Sequence, residues 1–129
     1  LNYPDNYYYK DISKVDTVSG CFFMIASKHL EEMGYFDENV FLYYEENIMG
    51  VKTKKLKKNI IVCNNVDVIH DHSVSIDKSL KRIKKYDILK TSQEYFEKTY
   101  NHANKLELFF LKVFRYLTRV LLLIKYMID

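Results

Sequence analysis

Apolar residues recur at three- and four-residue spacing over most of residues 76–127, and this spacing predicts two long helices. The first helix is predicted from a cap at Ser75 to about residue 100, and the second from residue 103 to residue 127. The chain has only three glycines and one proline, which excludes a loop-rich or many-stranded β protein. Helix is therefore expected to dominate the C-terminal part of the chain.

The preceding part of the chain is richer in β-type patterns. Residues 1–14 show no clear periodicity and are interpreted as a loop. Within residues 15–26, the continuous apolar run 21–25 is typical of a strand that is buried on both faces. Short strands are also predicted at residues 60–63 and 66–70.

Two short helices are predicted between these strands. Ser27 is placed to cap a helix over residues 28–33, and Gly34 stands where a glycine ends such a helix. A second helix is predicted from Glu45 to about Leu56. Together with the strands, these helices indicate an α/β chain.

The length and composition favour one folded domain. A chain of 129 residues with 48% hydrophobic residues has enough apolar side chains for one modest core. Cys21 and Cys63 have neither metal-site nor disulfide spacing, and both lie in apolar runs, so we expect buried thiols in a reducing compartment.

The charges divide into an acidic and a basic part. Residues 1–51 carry three lysines and nine acidic residues, net −6, whereas residues 52–129 carry 17 Lys/Arg and eight acidic residues, net +9. This division suggests a carboxylate-lined site on one side and a surface for an anionic partner on the other.

Several short elements carry little information when each is taken alone. Gly20 fits a bulge or a close backbone contact, Gly34 fits a helix cap, and Asp37 fits a turn. Their order is more specific. A Ser-Gly pair is followed by Gly-Tyr-Phe-Asp-Glu at 34–38, Phe-Leu-Tyr-Tyr-Glu-Glu at 41–46, a basic residue at Lys52 and a histidine at His70.

This order resembles the second half of family 2 glycosyltransferases of the rhamnosyltransferase-like kind, over roughly residues 15–75. The resemblance implies the C-terminal part of a GT-A fold, with residues 1–75 as its acceptor-side half and residues 76–129 as a helical extension. Such enzymes move a sugar, with inversion, from a nucleotide diphosphate donor to a polysaccharide or lipid-linked saccharide acceptor. A role in building cell-envelope polysaccharide follows from the same resemblance.

The resemblance also implies roles for the acidic pair. Glu46 matches the family's catalytic base, which takes the proton from the acceptor hydroxyl, although the family usually has Asp there. Glu45 matches the first acid of the pair, and Ile48 replaces a second family Asp. From the residues alone, the alternative explanation of the pair is the solvated acidic start of a helix.

The remaining site residues follow from the same match. Asp37, Glu38 and Gly20 fall on the acceptor side, where carboxylates accept hydrogen bonds from sugar hydroxyls. Lys52 and His70 are assigned to the donor diphosphate or its metal. Lys52 replaces a family Arg, which removes a bidentate contact, and His70 matches a family His near that group. His72 is interpreted as a loop residue.

The basic C-terminal helix leaves two interpretations open. Its apolar face and recurring Lys/Arg suit an anionic membrane surface at the inner face of the cell membrane, or packing on the domain or on a second copy. Its longest uncharged run is too short to span a bilayer. Nucleic-acid binding is not expected, because aromatic residues are not interleaved with the lysines. A cytoplasmic or peripheral location is expected, and a membrane- or partner-binding module without catalysis is the alternative function.

The resemblance predicts that the 129-residue chain alone does not transfer sugar. The family holds Mg²⁺ or Mn²⁺ with an Asp-x-Asp element in its first half, and this sequence contains no Asp-x-Asp, so no metal is expected to bind this chain tightly. Measurable turnover of a nucleotide sugar by the purified chain would contradict the prediction.

Overall fold

The computed structural model describes residues 3–70 and 82–128. The chain divides into two compact units. The described residues of the first unit are 3–37 and 45–70, and those of the second are 38–44 and 82–128. The expected division near residue 75 lies outside the described residues and stays a prediction, as do Ser75 as a cap and the placement of His72.

A two-stranded antiparallel sheet organises the first unit. Strand β1 (Ile12–Val15) pairs with β2 (Ile60–Cys63), so that Val15 lies opposite Ile60. A short 3₁₀ helix (Asp5–Tyr8) precedes β1. The Asn64 side chain ties the end of the sheet together, because its amide donates to the Lys10 carbonyl (2.6 Å) and to Ser13 Oγ (2.7 Å).

The strand predictions were right at one of three places. Residues 60–63 form the predicted strand, but residues 21–25 and 66–70 adopt no regular structure. The other strand lies at residues 12–15, mostly inside the predicted loop, where exposed and buried residues alternate. A strand exists only where a second strand accepts its backbone hydrogen bonds, and an apolar run alone does not supply that partner.

The prediction of buried cysteines is wrong. Both Cys21 and Cys63 are free and exposed. Cys63 lies on the outward face of β2, where exposure alternates with partial burial. Cys21 belongs to the irregular segment, in which Met24 is 89% exposed.

Helix α1 (Ser27–Glu32) ends as the sequence predicts. Gly34 has φ +72°, and the amides of Gly34 and Tyr35 donate to the carbonyls of Glu31 (2.9 Å) and Leu30 (3.0 Å). This pair of hydrogen bonds forms a Schellman motif, which favours glycine at the left-handed position. At the other end, Ser27 is not the cap: Ala26 holds that position, and no side chain caps the helix.

Helix α2 (Glu45–Lys55) supplies most of the core of the first unit. Ile48 is only 2% exposed, and Met49, Val15 and Met33 are also buried. Full burial of one such side chain contributes roughly 1.5–3 kcal/mol. The burial explains why position 48 is apolar here, although the family resemblance expects an acid there.

The second unit contains helices α3 (Arg82–Thr99) and α4 (Lys105–Ile128). Arg119 binds both carboxylate oxygens of Asp87 (2.9 and 3.2 Å), and Glu94 pairs with Lys112 (3.1 Å). The Asp87 carboxylate raises the pKa of Arg119, mainly through this hydrogen bond. The two helices are therefore joined along one side by polar contacts.

Helix α4 begins two residues later than predicted, because Asn104 caps it. Asn104 Oδ1 accepts from the amides of Leu106 (2.9 Å) and Glu107 (3.0 Å), and the Glu107 carboxylate accepts from the Asn104 amide (2.7 Å). This reciprocal pair is a capping box, with Asn in place of Ser or Thr. Among the described residues, no helix is long and apolar enough to cross a membrane.

Helix α2 ends in the same kind of motif as α1, but with a lysine at the left-handed position. Lys57 has φ +55°, and the Lys57 and Lys58 amides donate to the carbonyls of Lys54 and Thr53. A residue with a Cβ costs about 1–2 kcal/mol in this conformation. We expect Lys57→Gly to raise the free energy of unfolding by about 0.5–1 kcal/mol, after the larger entropy of glycine in the unfolded chain is subtracted.

Urea unfolding of the variant and the parent chain measures this gain. The matched control is Lys54→Gly, which makes the same change inside α2 and is expected to lose about 1 kcal/mol. Equal losses in both variants would show that position 57 is not left-handed in solution.

Candidate functional site

The acidic pair lies in the first turn of α2. Glu45 and Glu46 are both there, where the helix dipole favours negative charge, and three lysines occupy the last turn. This charge order stabilises α2 by itself. The position of the pair therefore agrees with a catalytic role and also with a purely structural role. The contacts of each carboxylate distinguish between these two roles.

The Glu46 carboxylate is held by the backbone of a distant segment. Glu46 Oε1 accepts a hydrogen bond from the Gly20 amide at 2.8 Å, although 26 positions separate the two residues. The Thr17 hydroxyl donates to the Glu46 backbone carbonyl at 3.0 Å. Segment 16–20 thus fixes both the backbone and the side chain of Glu46, which limits the positions that the carboxylate can adopt.

Two glycines allow this close approach. A Cβ on Gly20 would lie 2.4 Å from Glu46 Oε1, which no real contact permits. A Cβ on Gly50, one turn further along α2, would lie 2.5 Å from the Asp16 carbonyl oxygen. At Gly50 the obstacle is fixed backbone, so helix α2 and segment 16–20 meet there only because the side chain is missing, whereas at Gly20 the obstacle is the movable end of the Glu46 side chain.

Glu45 is the more enclosed carboxylate of the pair. Its Oε2 is shielded from solvent, and no described residue forms a hydrogen bond with it. Burial raises the pKa of Glu45, and the negative charge of Glu46 adds to the rise. Because the folded chain holds this proton more tightly than the unfolded chain, ionisation of Glu45 at rising pH lowers the stability of the fold.

Lys52, another predicted site residue, bonds to a backbone carbonyl rather than to the acidic pair. Lys52 Nζ donates to the Tyr35 carbonyl at 2.8 Å, so its ammonium ties α2 to the end of α1. Asp37 is half-buried in the first unit, whereas Glu38 is exposed and belongs to the second. His70 is exposed in an irregular segment.

Metal-ligating side chains do not cluster in the described part of the chain. Over residues 3–70 and 82–128, no three His, Cys, Asp or Glu side chains come together in a way that suits a metal ion. The described carboxylates therefore do not fit a resident Mg²⁺ or Mn²⁺, and we assign none of them to one.

The residues just before the acidic pair are held by α3. The Leu42 carbonyl accepts from Ser92 Oγ at 2.8 Å, and the Tyr44 ring packs on Phe96 with 5.2 Å between centroids. Tyr43 and Tyr44 have φ of +66° and +71°. Two successive left-handed tyrosines are costly, so strong tertiary contacts must hold this turn.

Sequence reasoning missed three contributors to the site. Gly50 offered a signal, because a glycine inside a helix costs about 1 kcal/mol and usually has a packing reason. Thr17 and the carbonyl of Tyr35 offered none, since their roles depend on contacts with distant residues.

A stretch of 64 residues, 50% of the chain, is 34% identical to the low-salt glycan biosynthesis hexosyltransferase Agl10 of Haloferax volcanii. Half of the chain is therefore related to part of a glycosyltransferase. The matched stretch spans only 21% of that curated relative's length. No protein-family model and no solved structure matches the chain.

The close contact between Gly20 and Glu46 predicts a compensating pair of substitutions. Gly20→Ala pushes the Glu46 carboxylate aside and breaks its hydrogen bond with the Gly20 amide, so it is expected to lower the free energy of unfolding by about 0.5–1.5 kcal/mol. In a chain that already carries Glu46→Ala, the same Gly20→Ala change is expected to lower the free energy of unfolding by less than ~0.5 kcal/mol. The Glu46 carboxylate, which the new Cβ would otherwise displace, is absent from that chain.

Urea unfolding of the four chains gives the coupling energy between the two positions. Ser19→Ala, at the exposed neighbour of Gly20, is the control for a change in this segment that leaves Glu46 in place. Additive effects of Gly20→Ala and Glu46→Ala would contradict the contact.

Proposed function

We propose that the chain is the acceptor-side part of an inverting family 2 glycosyltransferase with a GT-A fold, and that Glu46 is its catalytic base. The observation that carries the proposal is the 2.8 Å hydrogen bond from the Gly20 amide to the Glu46 carboxylate. It joins two residues that the family resemblance assigns to the site without reference to the structure. The partial identity to a hexosyltransferase supports the same reaction class.

The proposed chemistry needs one carboxylate at a fixed place. The Glu46 carboxylate takes the proton of the acceptor hydroxyl while the acceptor oxygen forms a bond to the anomeric carbon of the donor sugar. The bond from that carbon to the nucleoside diphosphate breaks on the opposite side, so the configuration inverts. With Oε1 held by the Gly20 amide, Oε2 is the oxygen that receives the proton.

Glu45 contributes through its enclosure. Burial raises the pKa of Glu45, and the charge of Glu46 adds to the rise. We assign Glu45 a supporting position beside the base rather than proton abstraction itself.

The acceptor and donor groups complete the proposal. Asp37 and Glu38 bind hydroxyls of a polysaccharide or lipid-linked saccharide acceptor, and His70 lies towards the donor diphosphate. Lys52 reaches the diphosphate only after its hydrogen bond to the Tyr35 carbonyl breaks, so His70 is the stronger candidate for the diphosphate contact. Any metal, Mg²⁺ or Mn²⁺, is held in the intact enzyme by a donor-binding part with the nucleotide sugar.

The exposed irregular run at residues 21–25 suits a contact with that donor-binding part. Phe22 is 58% and Met24 89% exposed, whereas Phe23 packs against Phe36 with 6.3 Å between ring centroids. In the intact enzyme we place the donor-binding part over this run.

The test compares the natural protein that contains these residues with its Glu46→Gln variant. The assay supplies host membranes as acceptors and a set of labelled nucleoside diphosphate sugars. The variant keeps the shape of the side chain but cannot take a proton, so transfer is expected to fall by about 10²-fold or more. Glu31→Gln, an exposed change on α1, is the control and is expected to transfer at the parent rate.

Unchanged transfer by Glu46→Gln would remove Glu46 as the base. If none of the donors supports transfer while the cellular role persists in the variant, the chain would instead be a binding module without catalysis.

A further inference from the structure

Helix α4 exposes an apolar face that the described part of the chain leaves uncovered. Ten apolar or aromatic residues of α4 are at least 36% exposed, and Phe110 and Phe114 exceed 60%. These residues are Leu106, Phe109, Phe110, Val113, Phe114, Tyr116, Leu117, Leu121, Leu123 and Ile124. At about 100° per residue they cover roughly half of the helix circumference.

The opposite side of α4 is the one that packs on α3. It carries Arg115, Thr118 and Arg119, whose polar groups bond to Tyr86, Asp87, Thr91 and Glu94 on α3. The apolar face therefore points away from the only helix of the second unit that binds α4 among the described residues. With 24 residues, α4 is about 36 Å long, so the uncovered face is a long stripe rather than a local patch.

Basic residues border the stripe. Lys105 and Lys112 lie along one edge, where Lys112 also pairs with Glu94, and Lys125 lies along the other edge with Glu107; the three lysines and Glu107 are exposed. Residues 82–128 carry ten Lys/Arg and four Asp/Glu, so the two helices have a net charge of +6. An apolar stripe with lysines on both edges is the pattern of a helix that lies in the headgroup layer of a membrane.

The charge decides between a lipid surface and a second copy of the chain. Two copies joined face to face would bring the lysines that border the two stripes close together, which costs free energy at moderate salt. An anionic lipid surface instead attracts each lysine by about fivefold in affinity. Long lysine side chains also extend from the edge of the stripe to the phosphate level while their methylene groups stay in apolar surroundings.

We propose that α4 is a membrane-surface helix that binds anionic phospholipid headgroups with its lysines and buries its apolar stripe at the acyl boundary. This function does not depend on the proposed sugar transfer. It places the second unit on a lipid surface, with α3 on the side of α4 that faces away from the lipid.

Co-sedimentation of the 129-residue chain with lipid vesicles tests the proposal. Vesicles of phosphatidylcholine alone are compared with vesicles that also contain phosphatidylglycerol, at low and high salt. Binding to the anionic vesicles is expected to be at least ~25-fold tighter, since about two lysines contribute fivefold each, and to weaken with salt.

Two pairs of variants separate the stripe from its charged border. Phe110→Asp with Leu117→Asp is expected to weaken binding to anionic vesicles by at least ~30-fold, and its control is Met24→Asp with Ile69→Asp, two apolar residues outside α4 that are even more exposed. Lys105→Gln with Lys125→Gln is expected to weaken it ~25-fold, and its control is Lys54→Gln with Lys57→Gln on exposed residues near the end of α2. Circular dichroism confirms that each variant keeps its helices.

Three results would overturn the proposal. The first is no binding to either kind of vesicle. The second is binding that the stripe variants and their controls weaken equally. The third is a dimer in sedimentation equilibrium that Phe110→Asp with Leu117→Asp dissociates, because the stripe would then be the interface with a second copy.

Discussion

The close approach between segment 16–20 and helix α2 is the contact on which the first unit depends. It requires a missing side chain at Gly50, because a Cβ there would lie 2.5 Å from the Asp16 carbonyl oxygen, and a Cβ at Gly20 would displace the Glu46 carboxylate. The same approach lets Thr17 bond to the Glu46 carbonyl and the Gly20 amide bond to the Glu46 carboxylate. Ile48, on the buried side of α2, adds the apolar contact that keeps the helix in place. The packing of α2 against segment 16–20 therefore both builds the core and positions Glu46, the candidate base.

In the second unit, helix α4 makes its polar contacts on one side and exposes its apolar residues on the opposite side. Asp87 and Glu94 on α3 bind the arginines and Lys112 of α4, and these exposed or half-buried pairs contribute modestly to stability. The Tyr44 and Phe96 rings supply apolar packing near the other end of α3. The largest apolar area of α4 is left out of all these contacts. The capping box stabilises the start of α4, and the stripe stays available for a lipid surface.

Local signals in the sequence predicted the helices well. The bounds of α2 were predicted to within one residue, and Gly34 was correctly placed as a left-handed cap, because both depend on neighbouring residues. The predictions failed where a distant partner decides the outcome. Residues 21–25 have the composition of a buried strand but no described residue pairs with them, whereas residues 12–15 find β2 almost 50 positions later.

The same division applies to the candidate site. Gly20 and Glu46 were both predicted to act, yet their hydrogen bond is a tertiary contact that no spacing in the sequence reveals. Lys52 was predicted to face a phosphate, but a backbone carbonyl lies within reach and accepts its hydrogen bond. The roles of all these residues in sugar transfer remain predictions, whereas the arrangement around Glu46 is a property of the fold.

The most direct measurement of the central contact is an NMR titration of the Gly20 amide proton with pH in the 129-residue chain. An amide that donates to a carboxylate resonates downfield and moves upfield when acid protonates that carboxylate. The account predicts this movement for Gly20 in the parent chain and in Glu45→Gln, and its loss in Glu46→Gln. The hydrogen bond would be contradicted if the chemical shift of the Gly20 amide proton did not change in acid. It would also be contradicted if that shift changed in Glu46→Gln as it does in the parent chain.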